Sequence, residues 1–126
     1  NPYHIPAKKT RYHDQFNGSV LYDSLLEARM ARILDRDGIE FTPHVAYTCF
    51  DRQGKSFRYT IDFVFKNPVR FTGLHKHVNV LEVKGVLYKG ALDKLAAIEY
   101  CYNIKGYIAT HSLIDFWEAE GLGVEK

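Results

Sequence analysis

His77-Val-Asn-Val-Leu-Glu-Val-Lys84, closed by Gly85, is the stretch on which the reading of this chain turns. Its apolar content marks a central strand. Alternation puts Glu82 and Lys84 on one face and Leu81 and Val83 on the other. A carboxylate and an ammonium at i, i+2 of a buried strand are expensive unless they are paired or bind something. A pair satisfied at the strand end accounts for them as well as a site does, so the neighbouring segments must decide.

The preceding strand, Tyr59-Thr-Ile-Asp-Phe-Val-Phe65, holds Asp62 alone among aromatic and β-branched residues. Aspartate is depleted in strands and rarely buried without a reason. If the two strands are neighbours, Asp62 and Glu82 point to the same spot. Two close carboxylates repel unless they share a proton or a cation. A hard divalent cation with oxygen ligands, Mg²⁺ with Mn²⁺ as a substitute, is the simplest resolution.

A third acid lies further upstream. Leu26, Met30, Ile33 and Leu34 keep the i, i+4, i+7, i+8 rhythm of an amphipathic helix that starts near Ser24 and ends at Asp37-Gly38. Glu27 falls inside its apolar arc. Ser24-Leu-Leu-Glu27 is also a capping box, in which Glu27 would bond the Ser24 amide. Both roles stay open.

Between the helix and the acid-bearing strands, Ile39–Phe41 and Ala46–Phe50 read as extended, with Pro43 between them. Asp51-Arg-Gln-Gly54 has turn chemistry, so Ala46–Phe65 is a predicted hairpin. Asn67-Pro68 is expected to stop its second strand and begin a basic loop. After Gly85, a helix is predicted over Ala91–Tyr102, a short strand over Tyr107–Thr110, and a last helix from Ser112 through Trp117 and Glu118. The order α-β-β-β-α-β-α predicts a mixed α/β fold, a central mixed sheet flanked by helices.

The order helix-Glu27, hairpin, Asp62, then Glu82-Val83-Lys84-Gly85 resembles the PD-(D/E)XK nuclease superfamily, with its restriction-endonuclease-like αβββαβ core. It is nearest in pattern to phage junction-resolving endonucleases and to the endonuclease subunits of heteromeric transposases. The likeness covers about residues 24–110, and Ile61 stands where the family's name has proline. The resemblance implies that Asp62, Glu82 and the Val83 carbonyl hold the metal, with Glu27 reaching it directly or through water. It implies that Lys84 holds or helps deprotonate the attacking water, or neutralises charge developing on the phosphate. The implied activity is metal-dependent hydrolysis of DNA phosphodiesters, with duplex and branched DNA both open as substrates. The alternative is a non-catalytic nucleic-acid-binding or protein-adaptor subunit that keeps the fold.

Length and composition set the outer bounds. At 126 residues, 46% hydrophobic and 25% charged, the chain is one ordinary domain and not a disordered segment. The net charge of +2 excludes a histone-like polycation. Two stretches nevertheless lack acids, 1–13 with Lys8, Lys9 and Arg11, and 66–77 with Arg70 and Lys76. These residues, and Lys89 before the second helix, are the candidate DNA contacts. Residues 1–20 read as a basic arm and 21–126 as the single domain. His75-x-His77 reads as a loop pair, and Phe116-Trp117 as core or a dimer contact. Cys49 and Cys101 read as reduced packing residues, which with no apolar run of membrane-spanning length suggests a cytoplasmic protein. Coordinated cutting of two strands implies a homodimer or a subunit of a larger DNA-processing complex.

Overall fold

The computed structural model describes residues 8–124. The chain is a mixed α/β protein: β1 (Thr10–Asp14), β2 (Gly18–Tyr22), α1 (Leu25–Arg36), β3 (Phe41–Phe50), β4 (Ser56–Val69), β5 (Val78–Val83), α2 (Lys89–Tyr102), β6 (Gly106–Ala109) and α3 (His111–Glu120). The main sheet has the order β3-β4-β5-β6, antiparallel except for the parallel β5–β6 pair. The strand read as central is an inner one.

The sheet separates two cores. On one face α1 and α3 bury Met30, Ile33, Leu34, Ile114 and Trp117 against Phe41, Phe63 and Leu81. On the other, α2 buries Ala91, Leu95 and Ile98 against Ile61, Val80 and Ile108. Contact there is close enough to demand a glycine. A Cβ on Gly106 would lie 2.8 Å from a Leu95 methyl and 2.9 Å from a Val80 methyl. Trp117 is wholly buried, and its indole N–H donates to the Thr72 carbonyl (2.8 Å), so the last helix closes the core.

Four expectations are corrected. Residues 10–22 are not part of an arm but an antiparallel hairpin, so the domain reaches at least to Thr10, and residues 1–7 lie outside the described residues. Asp14 makes the turn by accepting the amides of Phe16 and Asn17, both at 2.7 Å. Tyr12 donates to Asp35 (2.7 Å), which ties the hairpin to the end of α1. Asn67-Pro68 does not stop β4. The strand runs on to Val69 across a register shift, and Phe71 and Leu74 in the supposed basic loop are buried. Pro43 likewise lies within β3 and does not break it.

The cysteines, fourth, are not free thiols. Cys49 on β3 and Cys101 on α2 form a disulfide, which removes the argument from free thiols to the cytoplasm. Among the described residues no helix is long and apolar enough to cross a membrane. Tyr102 reinforces the same seam, donating to the Thr48 carbonyl (2.8 Å) and packing edge-on against Tyr47. The bond closes a sequence separation of 52 residues. Loop-closure entropy for a ring of that size is worth up to about 4 kcal/mol. Urea unfolding with and without a phosphine reductant should therefore show a loss of a few kcal/mol on reduction, and coincident midpoints would show that the bond does not support the fold.

Candidate active site at the fork between β4 and β5

Three adjacent strands lose their regularity at one level. The last regular β4–β5 pairs are Val64 with Val80 and Phe63 with Leu81, so the next rung would bring Asp62 opposite Glu82. Side chains take over there. The Asp62 amide donates to Glu82 Oε1 (2.6 Å), and the Val83 amide donates to Asp62 Oδ2 (2.7 Å). Each carboxylate has captured an amide of the opposite strand.

β3 changes at the same level. Pro43 pairs with Phe63 and Val45 with Ile61, which leaves His44 opposite Asp62. His44 has φ 55°, a left-handed conformation uncommon for any residue but glycine. Tyr47, Cys49, Tyr59 and Ile61 belong to the α2 core, whereas Phe41, Phe63 and Phe65 belong to the α1 core. All seven are odd-numbered, and a regular strand would put the odd residues of each on one face. Both strands thus exchange faces at His44 and Asp62.

Glu82 is 1% exposed and well supplied with partners. Beyond the Asp62 amide, it accepts from the Tyr59 hydroxyl at 2.6 Å, and the Lys84 ammonium lies 3.8 Å from the same Oε2. Burial, then Glu82, push the Tyr59 phenol upward, so it remains a donor. The ammonium groups of Lys84 and of Lys94 on α2 lie 5.9 and 5.6 Å from the Tyr59 ring centre. The ring carries two cations beside the acids.

Glu27 arrives from α1. Ser24 caps the helix, its hydroxyl accepting the Glu27 amide at 3.1 Å. The carboxylate itself does not complete a capping box but meets His44 Nε2 at 2.5 Å. Burial raises the Glu27 carboxyl, the His44 contact opposes that rise, and the charge of Glu82 adds to it. Asp62 is pushed up to about 8 by burial first, then by Glu82 and Glu27, against the pull of the Val83 amide and Lys84.

The fold therefore brings Glu27, Asp62, Glu82 and Lys84 together, with Val83 at the fork. The candidate DNA contacts are dispersed. Lys8 shares a cavity of about 370 Å³ with Leu25, Val83, Gly85 and His111, which reaches the fork at Val83 but is not lined by the acids. Lys9 faces Asp23 at 3.9 Å, and Arg11 donates to Ser19 across the hairpin. Lys76 is 3.6 Å from Glu99 on α2, Arg70 lies just past β4, and Lys89 is the exposed first residue of α2. A cavity of about 700 Å³, between the β3–β4 turn and α2, contains none of the acids.

Sequence reasoning missed His44 and the hydroxyl of Tyr59. Tyr59 is three residues from Asp62, and only the exchange of faces lets both serve one cluster. For His44 the available signal was a histidine after proline in a β-rich run. No protein-family model matches the chain, and no curated protein or solved structure matches it.

The donor set fits a hard cation. Asp62 and Glu82 are oxygen donors held at one point, and Asp62 is raised by burial first and then by the neighbouring Glu82 and Glu27 charges, which the nearby ammonium offsets only in part. The shift also sets a pH dependence. Between about 4 and about 8 the folded protein retains a proton on Asp62 that the unfolded chain releases, so its contribution makes metal-free stability fall as pH rises through that window and level off above it. In EDTA, Asp62→Asn should remove that fall and be more stable than wild type at pH 8, as measured by urea unfolding. An undiminished slope in the variant would assign it to another group.

Proposed function

We propose that this chain is a divalent-metal-dependent DNA endonuclease of the PD-(D/E)XK kind. The observation that carries the reading is the fork itself: Asp62 and Glu82 on adjacent strands each take an amide of the other strand, with Lys84 two residues beyond Glu82. An inert strand-end pair would need Glu82 and Lys84 alone. It would not need a third and fourth strand-breaking polar residue, Asp62 and His44, at the same level.

Asp62, Glu82 and the Val83 carbonyl would hold Mg²⁺ or Mn²⁺, with Glu27 completing the set. When bound, the cation supplies Lewis-acid stabilisation of charge on a phosphodiester. The chain's own groups do the rest. Glu82, fixed by the Tyr59 hydroxyl and the Asp62 amide, keeps its carboxylate from swinging away. Lys84, beside Glu82 and over the Tyr59 ring, orients the attacking water and offsets the growing negative charge at phosphorus.

A cytoplasmic location would suit a DNA substrate, whereas a disulfide such as Cys49–Cys101 is more common outside reducing compartments. One fork offers one cleavage centre, so cutting both strands of a branch calls for a two-fold homodimer or a partner subunit. Lys8, which lines a cavity with Val83 and Gly85, and Lys89, the exposed first residue of the helix that follows β5, are the first candidates for phosphate contact.

Labelled duplex, four-way junction and single strand, incubated with the protein in EDTA and then with Mg²⁺ or Mn²⁺, test the proposal. Divalent-dependent cleavage is expected. Glu82→Ala and Lys84→Ala should each lower it by about 10²-fold or more while binding in EDTA changes little. Full cleavage by either variant would remove that residue from the mechanism, and binding without cleavage by the wild type would favour a non-catalytic subunit.

A further inference from the structure

We infer that His44 is the positioning residue of the metal centre, holding the Glu27 carboxylate of α1 at the fork of the sheet. The inference rests on the reading of the fork as a divalent-cation site and adds a group that the acid and lysine pattern does not contain.

The need for such a residue follows from where the acids come from. Asp62 and Glu82 are fixed to each other through backbone amides of neighbouring strands. Glu27 comes from a helix on one side of the sheet and has no such tie. It is 5% exposed and lies among like charges, so two escapes are open to it. It can turn back to the Ser24 amide as the second half of a capping box, or rotate away from the other acids. It does neither, because Nε2 of His44 sits 2.5 Å from its Oε1.

His44 is built for this contact. It lies opposite Asp62 in the β3–β4 register, at the level of the fork, so its reach to Glu27 links the helix to the strands carrying the other acids. Its left-handed backbone coincides with the exchange of faces, and the imidazole ends on the α1 side, 5.5 Å from the Tyr22 ring. Tyr22 is fully buried and stacks on Phe63, one residue from Asp62, so the imidazole is backed by core. With Oε1 engaged, Glu27 presents a single oxygen to a cation. Partners of this kind, which orient a ligand without touching the metal, are worth about 10–100-fold in metal affinity.

A competing role is that of ligand. The carboxylate of Asp23 lies within 4.8 Å of the Glu27 and His44 donor atoms, so these three could hold an ion of their own. The two roles differ in how His44 and Glu27 combine. A positioning residue acts through Glu27 and has nothing left to contribute once Glu27 cannot bind. A ligand contributes by itself.

The test is Mn²⁺ binding to the full chain without DNA, followed by electron paramagnetic resonance, for wild type, His44→Asn, His44→Gln, Glu27→Gln and the Glu27→Gln, His44→Asn double variant. Asparagine tolerates the left-handed backbone but is too short to reach Glu27, and glutamine restores a donor at longer reach. His44→Asn should weaken binding about tenfold, His44→Gln should recover much of that loss, and the double variant should bind no worse than Glu27→Gln alone. Wild-type affinity in His44→Asn, or a further loss in the double variant, overturns the inference while leaving the metal site intact. No Mn²⁺ binding by the wild type overturns the metal reading and the inference with it. A second measurement needs no change at His44. The ¹⁵N resonance of its Nε2 should shift on Mg²⁺ addition in wild type and stay fixed in Glu27→Gln, whereas a shift of equal size in both overturns the inference.

Discussion

Two carboxylates at the fork each accept an amide that regular pairing would have given to a carbonyl, and most of the local architecture follows from that exchange. Buried Glu82 and half-buried Asp62 can stay adjacent because the Val83 and Asp62 amides, the Tyr59 hydroxyl and the Lys84 ammonium supply donors around them. The strands part where the side chains enter. β3 and β4 exchange faces at the same level, which sends their odd-numbered residues to the α1 core on one side of the fork and to the α2 core on the other.

That arrangement is poor for stability and suited to binding. A carboxyl raised to about 8 is a folded-state expense that a well-packed apolar pair would not incur. The compensation lies at some distance from it. α1 is pinned to α3 by Arg29, which meets Asp115 at 2.6 Å and Glu118 at 3.1 Å, and by Arg36, whose guanidinium donates to the carbonyls of Trp117 and Glu118. α2 is tied to β3 by the Cys49–Cys101 bond and the Tyr102 contacts. Rigid elements on both faces hold the acids in a geometry that repulsion would otherwise open, which is what a preorganised cation site requires.

Much of this was legible in the sequence, for definable reasons. Glu82, Lys84 and Asp62 stood out as polar residues in period-two apolar strands, a violation that needs no knowledge of the partner strand. The helices around Met30 and Leu95 followed from apolar spacing. Glu27 was legible as an anomaly but ambiguous, because one spacing serves a capping box and an inward-facing acid alike, and the capping half proved to involve only its amide. His44 was hidden because its role depends on a change of strand phase, which a fixed period cannot register. The hairpin over Thr10–Tyr22 was hidden because its buried positions include Asp14, whose carboxylate is spent on its own turn. The disulfide depends on the approach of α2 to β3, a distance that spacing along the chain does not encode.

Whether the fork holds a cation is read directly by anomalous diffraction from a crystal of the chain grown or soaked with Mn²⁺. An anomalous peak is expected within coordinating distance of the carboxylates of Asp62 and Glu82, with Glu27 still held by His44. A fork without a peak at saturating Mn²⁺, with Asp62 and Glu82 still bonded only to each other's strands, would contradict the reading of the fork as a cation site.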